Sequence, residues 1–247
     1  MARVGLMLYT VREDCDRDLE GTLREVAAMG YEGVELHDLH GHTSEQVRDW
    51  LDELGLTVCG RHISLSALDG GLPDLAASAR TLGHTRVVVG WVEPPRTPDD
   101  ARALAERMRV GSADAAALGL ELGFHNHDAE VRDLGDGRTV LDELLELSVF
   151  LELDLGWAWW AGVDPVEVLE RARGRVPLVH VKDFRTRGER AFCPVGDGNV
   201  DFERILPVAV EQGAEWLLVE QDESDIPALE AARRSLTAVN SMLGEGR

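Results

Sequence analysis

Eight times along the 247-residue chain a short apolar run gives way to an amphipathic segment, and this alternation restricts the fold more than any other feature. The runs are V-G-L-M-L-Y-T (4–10), G-V-E-L-H (33–37), T-V-C-G-R-H-I (57–63), R-V-V-V-G-W-V (86–92), L-E-L-G-F-H-N-H (120–127), V-F-L-E-L-D-L (149–155), P-L-V-H-V-K-D (177–183) and W-L-L-V-E-Q-D (216–222). Each is short, rich in β-branched or large apolar residues and bounded by turn chemistry, as a strand should be. The segments between them, such as L-R-E-V-A-A-M, V-R-D-W-L-D-E-L and V-E-V-L-E-R-A, repeat apolar residues at three and four and so present one face of a helix. Glycine follows several of these segments, at Gly30, Gly55, Gly83, Gly119 and Gly213, where it supplies a left-handed C-terminal cap. The segment after Thr97 opens T-P-D-D, with an N-cap, a proline at the first helical position and acids in the first turn. Strands alternating with helices imply a parallel sheet. Eight such units with no leftover segment predict one (β/α)8 barrel domain over residues 1–247, close to the roughly 250 residues typical of that fold.

Charge and composition narrow the function. Forty-six acids face 25 bases for a net charge of −21, and no basic block stands out, so the chain lacks the lysine- and arginine-rich surface that nucleic acid requires. No stretch reaches the roughly 18 uncharged apolar residues of a membrane helix. The N-terminus reads as a first strand rather than a signal peptide. Cys15, Cys59 and Cys193 are odd in number and far apart, so neither a disulfide framework nor a cysteine-based zinc site is expected. A cytoplasmic protein fits these features.

In a (β/α)8 barrel the active site lies at the C-terminal ends of the strands. Those ends carry Glu35 and His37, Arg61 and His62, His125, Asn126 and His127 with Glu130 just beyond, Asp154, His180, Lys182 and Asp183, and Glu220 and Asp222. Five of the eight histidines are among them. A lone acid there is often only an N-cap, which Asp128, Asp183 and Asp222 could each be, and Glu35 could simply pair with Arg61. The argument rests on convergence. Glu130, Asp154, His180 and Glu220 fall at or just past four consecutive strand ends, and three carboxylates so close repel unless a cation or shared protons neutralise them. A divalent metal is the simplest solution. One histidine with several carboxylate oxygens suits Mn²⁺, Mg²⁺ or Co²⁺, with Zn²⁺ also admissible. His125 or His127 could replace Glu130 as the fifth-strand ligand. Trp157 follows Asp154 closely enough to form an apolar wall for a sugar, while Trp159 and Trp160 are expected to pack between barrel and helices. The glycine-rich C-P-V-G-D-G-N-V-D-F (193–202) lacks a phosphate-loop lysine and reads as a loop over the site.

Nearly end to end the chain resembles the sugar phosphate isomerase/epimerase group of the xylose isomerase-like barrels. The resemblance lies in G-L-M-L-Y-T-V-R, G-Y-E-G-V-E-L, G-F-H-N-H-D-A-E, E-L-D-L-G-W followed by A-G-V-D-P, V-H-V-K-D, P-V-G-D-G-N-V-D-F and V-E-Q-D, in that order. It implies a metal held at Glu130 or a strand-five histidine, Asp154, His180 and Glu220. Ketose 3-epimerases of this superfamily carry a glutamate within strand five that is both ligand and base, where this chain has His125-Asn126-His127. The H-N-H form resembles a branch acting on keto-sugars and keto-glycosides by elimination or isomerisation, alongside inosose dehydratase-like relatives. Relatives also suggest a homo-oligomer.

The expected chemistry is metal-dependent proton abstraction next to a carbonyl, through an enediolate, on a keto-sugar, cyclitol or related carbohydrate. Glu220 or His125 would be the base, with Glu130 and Lys182 as further catalytic groups. Glu35, His37, His62, His127, Trp157 and Lys182 would bind the substrate. Return of the proton gives an isomerase or epimerase; loss of a β-leaving group gives a dehydratase or lyase. An endonuclease IV-like hydrolase would need more ligands and a basic face, and a non-catalytic sugar-binding barrel would be expected to have lost some of these acids and histidines.

Overall fold

A computed structural model describes residues 2–244. Parallel strands close into a barrel: β1 (Arg3–Met7), β2 (Gly33–Leu36), β3 (Thr57–Ser64), β4 (Arg86–Trp91), β5 (Glu121–His125), β6 (Phe150–Asp154) and β7 (Leu178–Val181), then, beyond a small antiparallel hairpin of β8 (Asp183–Phe184) and β9 (Phe192–Cys193), β10 (Trp216–Val219). Each barrel strand pairs with the next along the chain, and β1 closes the ring by pairing Arg3–Leu6 with Trp216–Val219. The fold is a single (β/α)8 TIM barrel. Around it run α1 (Arg12–Arg17), α2 (Leu19–Met29), α3 (Ser44–Leu54), α4 (Leu72–Leu82), α5 (Pro98–Ala117), α6 (Val140–Leu145), α7 (Leu155–Trp160), α8 (Pro165–Arg171), α9 (Phe202–Glu211) and α10 (Ala228–Met242). No described helix is long and apolar enough to cross a membrane.

Local chemistry sets these boundaries. Thr97 and Asp100 cap α5 reciprocally, each side chain taking the other's backbone N–H, with Pro98 at the first helical position. Gly30, Gly55 and Gly83 end α2, α3 and α4 in the left-handed conformation expected of them. Cys15, Cys59 and Cys193 are buried free thiols.

Successive side chains alternate across each strand, so the strands build two different cores. Outward residues such as Val34, Val89, Phe124, Leu153, Val179 and Leu217 join helix residues including Leu23, Leu51, Met108 and Ile205 in one buried apolar cluster. Each such side chain is worth about 1.5–3 kcal/mol on leaving water. Inward, Cys59, Val88, Leu178, Trp216 and Leu218 form a separate cluster with Phe150 that plugs the base of the barrel. Glycine makes room for the large rings there: a Cβ on Gly123 would lie 2.3 Å from the Phe150 ring. Above this plug the inward positions become ionisable.

Candidate active site

Two residues further along the same faces, the strands exchange apolar for charged side chains. On β6 the inward series is Phe150, Glu152, Asp154; on β7 and the residue after it, Leu178, His180, Lys182; on β10 and its continuation, Trp216, Leu218, Glu220. The third strand needs one irregularity to join them. Val34 pairs with Val58 but Glu35 pairs with Gly60, so Cys59 is an extra residue in β3. Such a bulge reverses which side chains point inward. His62 therefore enters the barrel, while Arg61 turns out and bonds Ser78 of α4.

Ligand atoms of His125, Asp154, His180 and Glu220, all buried, lie within 4.8 Å of one another. Asp154 divides its two oxygens between structure and site. Oδ1 caps α7 by accepting the Trp157 N–H at 2.8 Å, whereas buried Oδ2 has no hydrogen bond and lies 3.2 Å from the Lys182 ammonium. Lys182 Nζ also lies 2.9 Å from both Glu220 Oε2 and Asp222 Oδ1. His180 Nδ1 is 2.6 Å from Glu220 Oε2. Two imidazoles and two carboxylates at this spacing, one with an unbonded buried oxygen, match the donor set and size of a divalent-cation site.

Behind this group stand Glu35 and Glu152, both 0% exposed. Glu35 Oε2 is 2.7 Å from His180 Nε2, and Glu152 Oε1 is 2.6 Å from His62 Nε2 and 3.0 Å from His125 Nδ1. His62, His125, Glu152 and His180 thus form a second set of converging polar atoms, sharing two histidines with the first.

A cavity of about 560 Å³ opens above, with His62, His125, His127 and Glu220 toward its floor and Tyr9, Trp91, Trp157 and Phe192 among its apolar lining. Trp91 is 61% exposed at the end of β4. Phe192 and Arg190 reach the cavity from the β8–β9 hairpin, and Arg190 stands 5.5 Å from the Trp157 ring. The hairpin is tied down by one carboxylate: Asp183 accepts the N–H groups of Phe184, Gly196, Gly198 and Val200. The 193–202 segment is therefore anchored beside the site by Asp183, which does not cap a helix.

Burial and neighbouring charge separate the protonation states. Burial drives His127 down to about 2, His125 to about 3 and His37 to about 4, helped by a neighbouring histidine in each case, so all three present neutral rings at neutral pH. His180 moves the other way, because Glu152 and Glu220 outweigh the effect of burial and raise it well above its usual range. Burial lifts Asp154 to about 6 despite the Lys182 ammonium. For Glu220, burial is outweighed by Lys182 and His180, which hold its carboxyl well below the usual range.

Of the residues singled out in the sequence, Asp154, His180 and Glu220 converge, and His125 completes the group. Glu130 does not join it. It sits on a short turn after β5, and its Oε2 accepts the His127 N–H at 2.8 Å, which shapes the loop that carries His127. Glu35 pairs with His180 rather than Arg61 and is sealed from the cavity, so a place among substrate-binding residues does not suit it. Lys182 is likewise enclosed among Asp154, Glu220 and Asp222. His37, His62, His127 and Trp157 line the cavity. Glu152 was not singled out; its signal was strand alternation, which puts it on the face of Asp154.

A family model of the xylose isomerase-like TIM barrel matches residues 23–242. The chain belongs to the xylose isomerase-like TIM barrel family. Among its relatives in sequence, an inosose dehydratase of Geobacillus kaustophilus is 26% identical, over 81% of this chain and 79% of that protein. An inosose dehydratase of Clostridium perfringens is 31% identical, but over 53% of this chain and 50% of that protein. In structure, a sugar phosphate isomerase/epimerase of Parabacteroides distasonis superposes with a TM-score of 0.81 at 22% identity, covering 98% of this chain and 93% of that one. As a xylose isomerase-like barrel with these relatives, the protein is of the sugar-processing enzyme kind.

Proposed function

We propose that this protein is a metal-dependent enzyme that removes a proton next to the carbonyl of a keto-cyclitol or keto-sugar and expels the β-hydroxyl as water. The observation that carries the reading is the convergence of His125, Asp154, His180 and Glu220, of which His125 and Glu220 border the cavity of about 560 Å³. With two histidines in the set, the donors suit borderline ions such as Mn²⁺, Co²⁺ or Zn²⁺ better than Mg²⁺. When bound, such an ion supplies Lewis-acid polarisation of substrate oxygens. Glu220 is the base. Its Oε2 is engaged by His180 and Lys182, and the carboxylate borders the cavity from the end of β10. Neutral His37 and His127 serve as hydrogen-bonding partners for hydroxyls, and the Trp157 ring gives a wall for the C–H face of the ring.

Elimination is favoured over inversion at one carbon by where the acids stand. Among the described residues, every carboxylate lining the cavity, Glu220, Asp222 and Glu223, comes from the segment at the end of β10. Epimerisation by two carboxylates needs one on each side of the substrate, whereas elimination needs one base. The C–H bond next to the carbonyl breaks toward Glu220, its electron pair forms the C=C bond, the β C–O bond breaks, and the departing hydroxide takes the proton Glu220 has just accepted to leave as water. The relationship to inosose dehydratases supports the same outcome.

The test is incubation of Mn²⁺-loaded enzyme with an inosose and with 3-keto sugars in D₂O. NMR should show exchange of the proton beside the carbonyl, and absorbance should report an enone or its diketone tautomer. Exchange with inversion and no loss of water would replace elimination by epimerisation. No exchange with any of these ketones would remove the reading.

A further inference from the structure

Glu35 and Glu152 call for an explanation of their own. Neither borders the cavity, and both are fully enclosed within the barrel. Two carboxylates buried in an interior carry a large desolvation cost, and a buried ion pair is seldom more stable than apolar side chains of the same volume. Stability alone does not account for them. Glu35 Oε1 and Glu152 Oε2 are each buried without a hydrogen-bond partner, so even their bonding capacity is half used. The backbone is shaped around one of them: a Cβ on Gly60 would stand 2.9 Å from Glu35 Oε1.

What the two carboxylates do touch is the rear nitrogen of each histidine in the converging group. Glu35 Oε2 meets His180 Nε2 at 2.7 Å, while His180 Nδ1 faces Glu220. Glu152 Oε1 meets His125 Nδ1 at 3.0 Å, which leaves the other ring nitrogen, Nε2, free to serve the group, and the same oxygen also lies 3.1 Å from His180 Nε2 beside Glu35. A neutral imidazole that offers a lone pair on one nitrogen carries its proton on the other, and an acceptor at that second nitrogen fixes the tautomer and the ring plane. The two histidines are held in opposite senses, His180 presenting Nδ1 and His125 presenting Nε2. His62, bonded through Nε2 to the same Glu152 oxygen at 2.6 Å, braces that carboxylate from the cavity side.

We infer that Glu35 and Glu152 are positioning residues that fix which nitrogen of His180 and His125 is offered to a cation, and thereby set how tightly the site holds it. The inference rests on the metal reading above. It predicts one equivalent of Mn²⁺ bound by the wild-type protein in calorimetric titration. Glu35→Gln and Glu152→Gln, which keep shape and lose charge, should keep that stoichiometry and bind about 10- to 100-fold more weakly. A thermal unfolding scan of each metal-free variant separates this from loss of fold.

A second measurement does not depend on the variants. In ¹⁵N-histidine-labelled protein loaded with diamagnetic Zn²⁺, long-range NMR correlations should place the proton on Nε2 of His180 and on Nδ1 of His125. Folded Gln variants that bind Mn²⁺ as tightly as wild type overturn the inference and leave the metal reading intact. So does a proton on the opposite nitrogen of either ring. A wild-type protein that binds no Mn²⁺ and no Zn²⁺ overturns the metal reading and this inference with it.

Discussion

Trp216, Leu218 and Glu220 follow one another on the same face of β10 and its continuation, yet the first two belong to the apolar plug and the third to the charged group. The same change occurs between Phe150 and Glu152 on β6 and between Leu178 and His180 on β7. The base of the barrel gains stability from every side chain it removes from water. The mouth spends part of that gain on holding acids and bases out of water, where they repel, shift one another's protonation and await a substrate. The comparison teaches that one strand can serve both ends because its two-residue repeat delivers a new layer about every 6–7 Å.

That contrast can be broken at either end. The largest effect is expected at the mouth: Glu220→Gln should lower turnover about 10²- to 10⁴-fold, with the urea midpoint unchanged or raised. A large loss of stability in this variant would show that the mouth is a structural ion network. Next, Trp216→Ala should lower unfolding free energy by about 3–5 kcal/mol while Mn²⁺ affinity stays within twofold. A proportionate fall in affinity would mean that the two layers are not separable. Gly90→Ala tests the boundary between them. A Cβ there would lie 2.3 Å from His62 Nδ1, so the ring must move, and overpacking of this kind costs about 1–3 kcal/mol. Substrate turnover should drop with it, and unchanged kinetics would remove His62 from the working site.

The smallest effect is a difference in pH slope for the metal-free protein. His84, at the base, is lowered to about 4 by burial. Between that value and its usual 6.5 the folded state binds fewer protons than the unfolded, so stability from this group is present above 6.5 and lost as pH falls toward 4. Asp154, at the mouth, is raised by burial from 3.8 to about 6, and its contribution runs the other way, present below 3.8 and lost as pH rises through 6. His84→Gln should therefore flatten the acid-side fall in urea midpoint, and Asp154→Asn should flatten the opposing trend. Identical slopes in both variants and wild type would contradict this division.

Much of this plan was legible in the sequence. The eightfold alternation gave the barrel, and strand-end position picked out Asp154, His180 and Glu220. The misreadings share one cause, which is that sequence position does not tell depth. Glu35 lies one layer below the cavity and Glu130 one turn beyond it, although both are near strand ends. His62, expected at the site, reaches it through the bulge at Cys59, which no local motif announces. Glu152 followed from the two-residue repeat but stands within an apolar run, where attention goes to the acid at its end. The β8–β9 hairpin was hidden for a different reason: its strands have two residues each and are held by the carboxylate of Asp183 more than by pattern.

Lys182 separates two events in the life of the chain. Because its ammonium already stands among Asp154, Glu220 and Asp222, the chain itself compensates these buried carboxylates, and the polypeptide is expected to complete its fold in the presence of a chelator, with any metal loading a later and reversible step. On the metal reading proposed above, the barrel would be a finished vessel before it is a working one, and the supply of ions, rather than the course of folding, would decide when it starts.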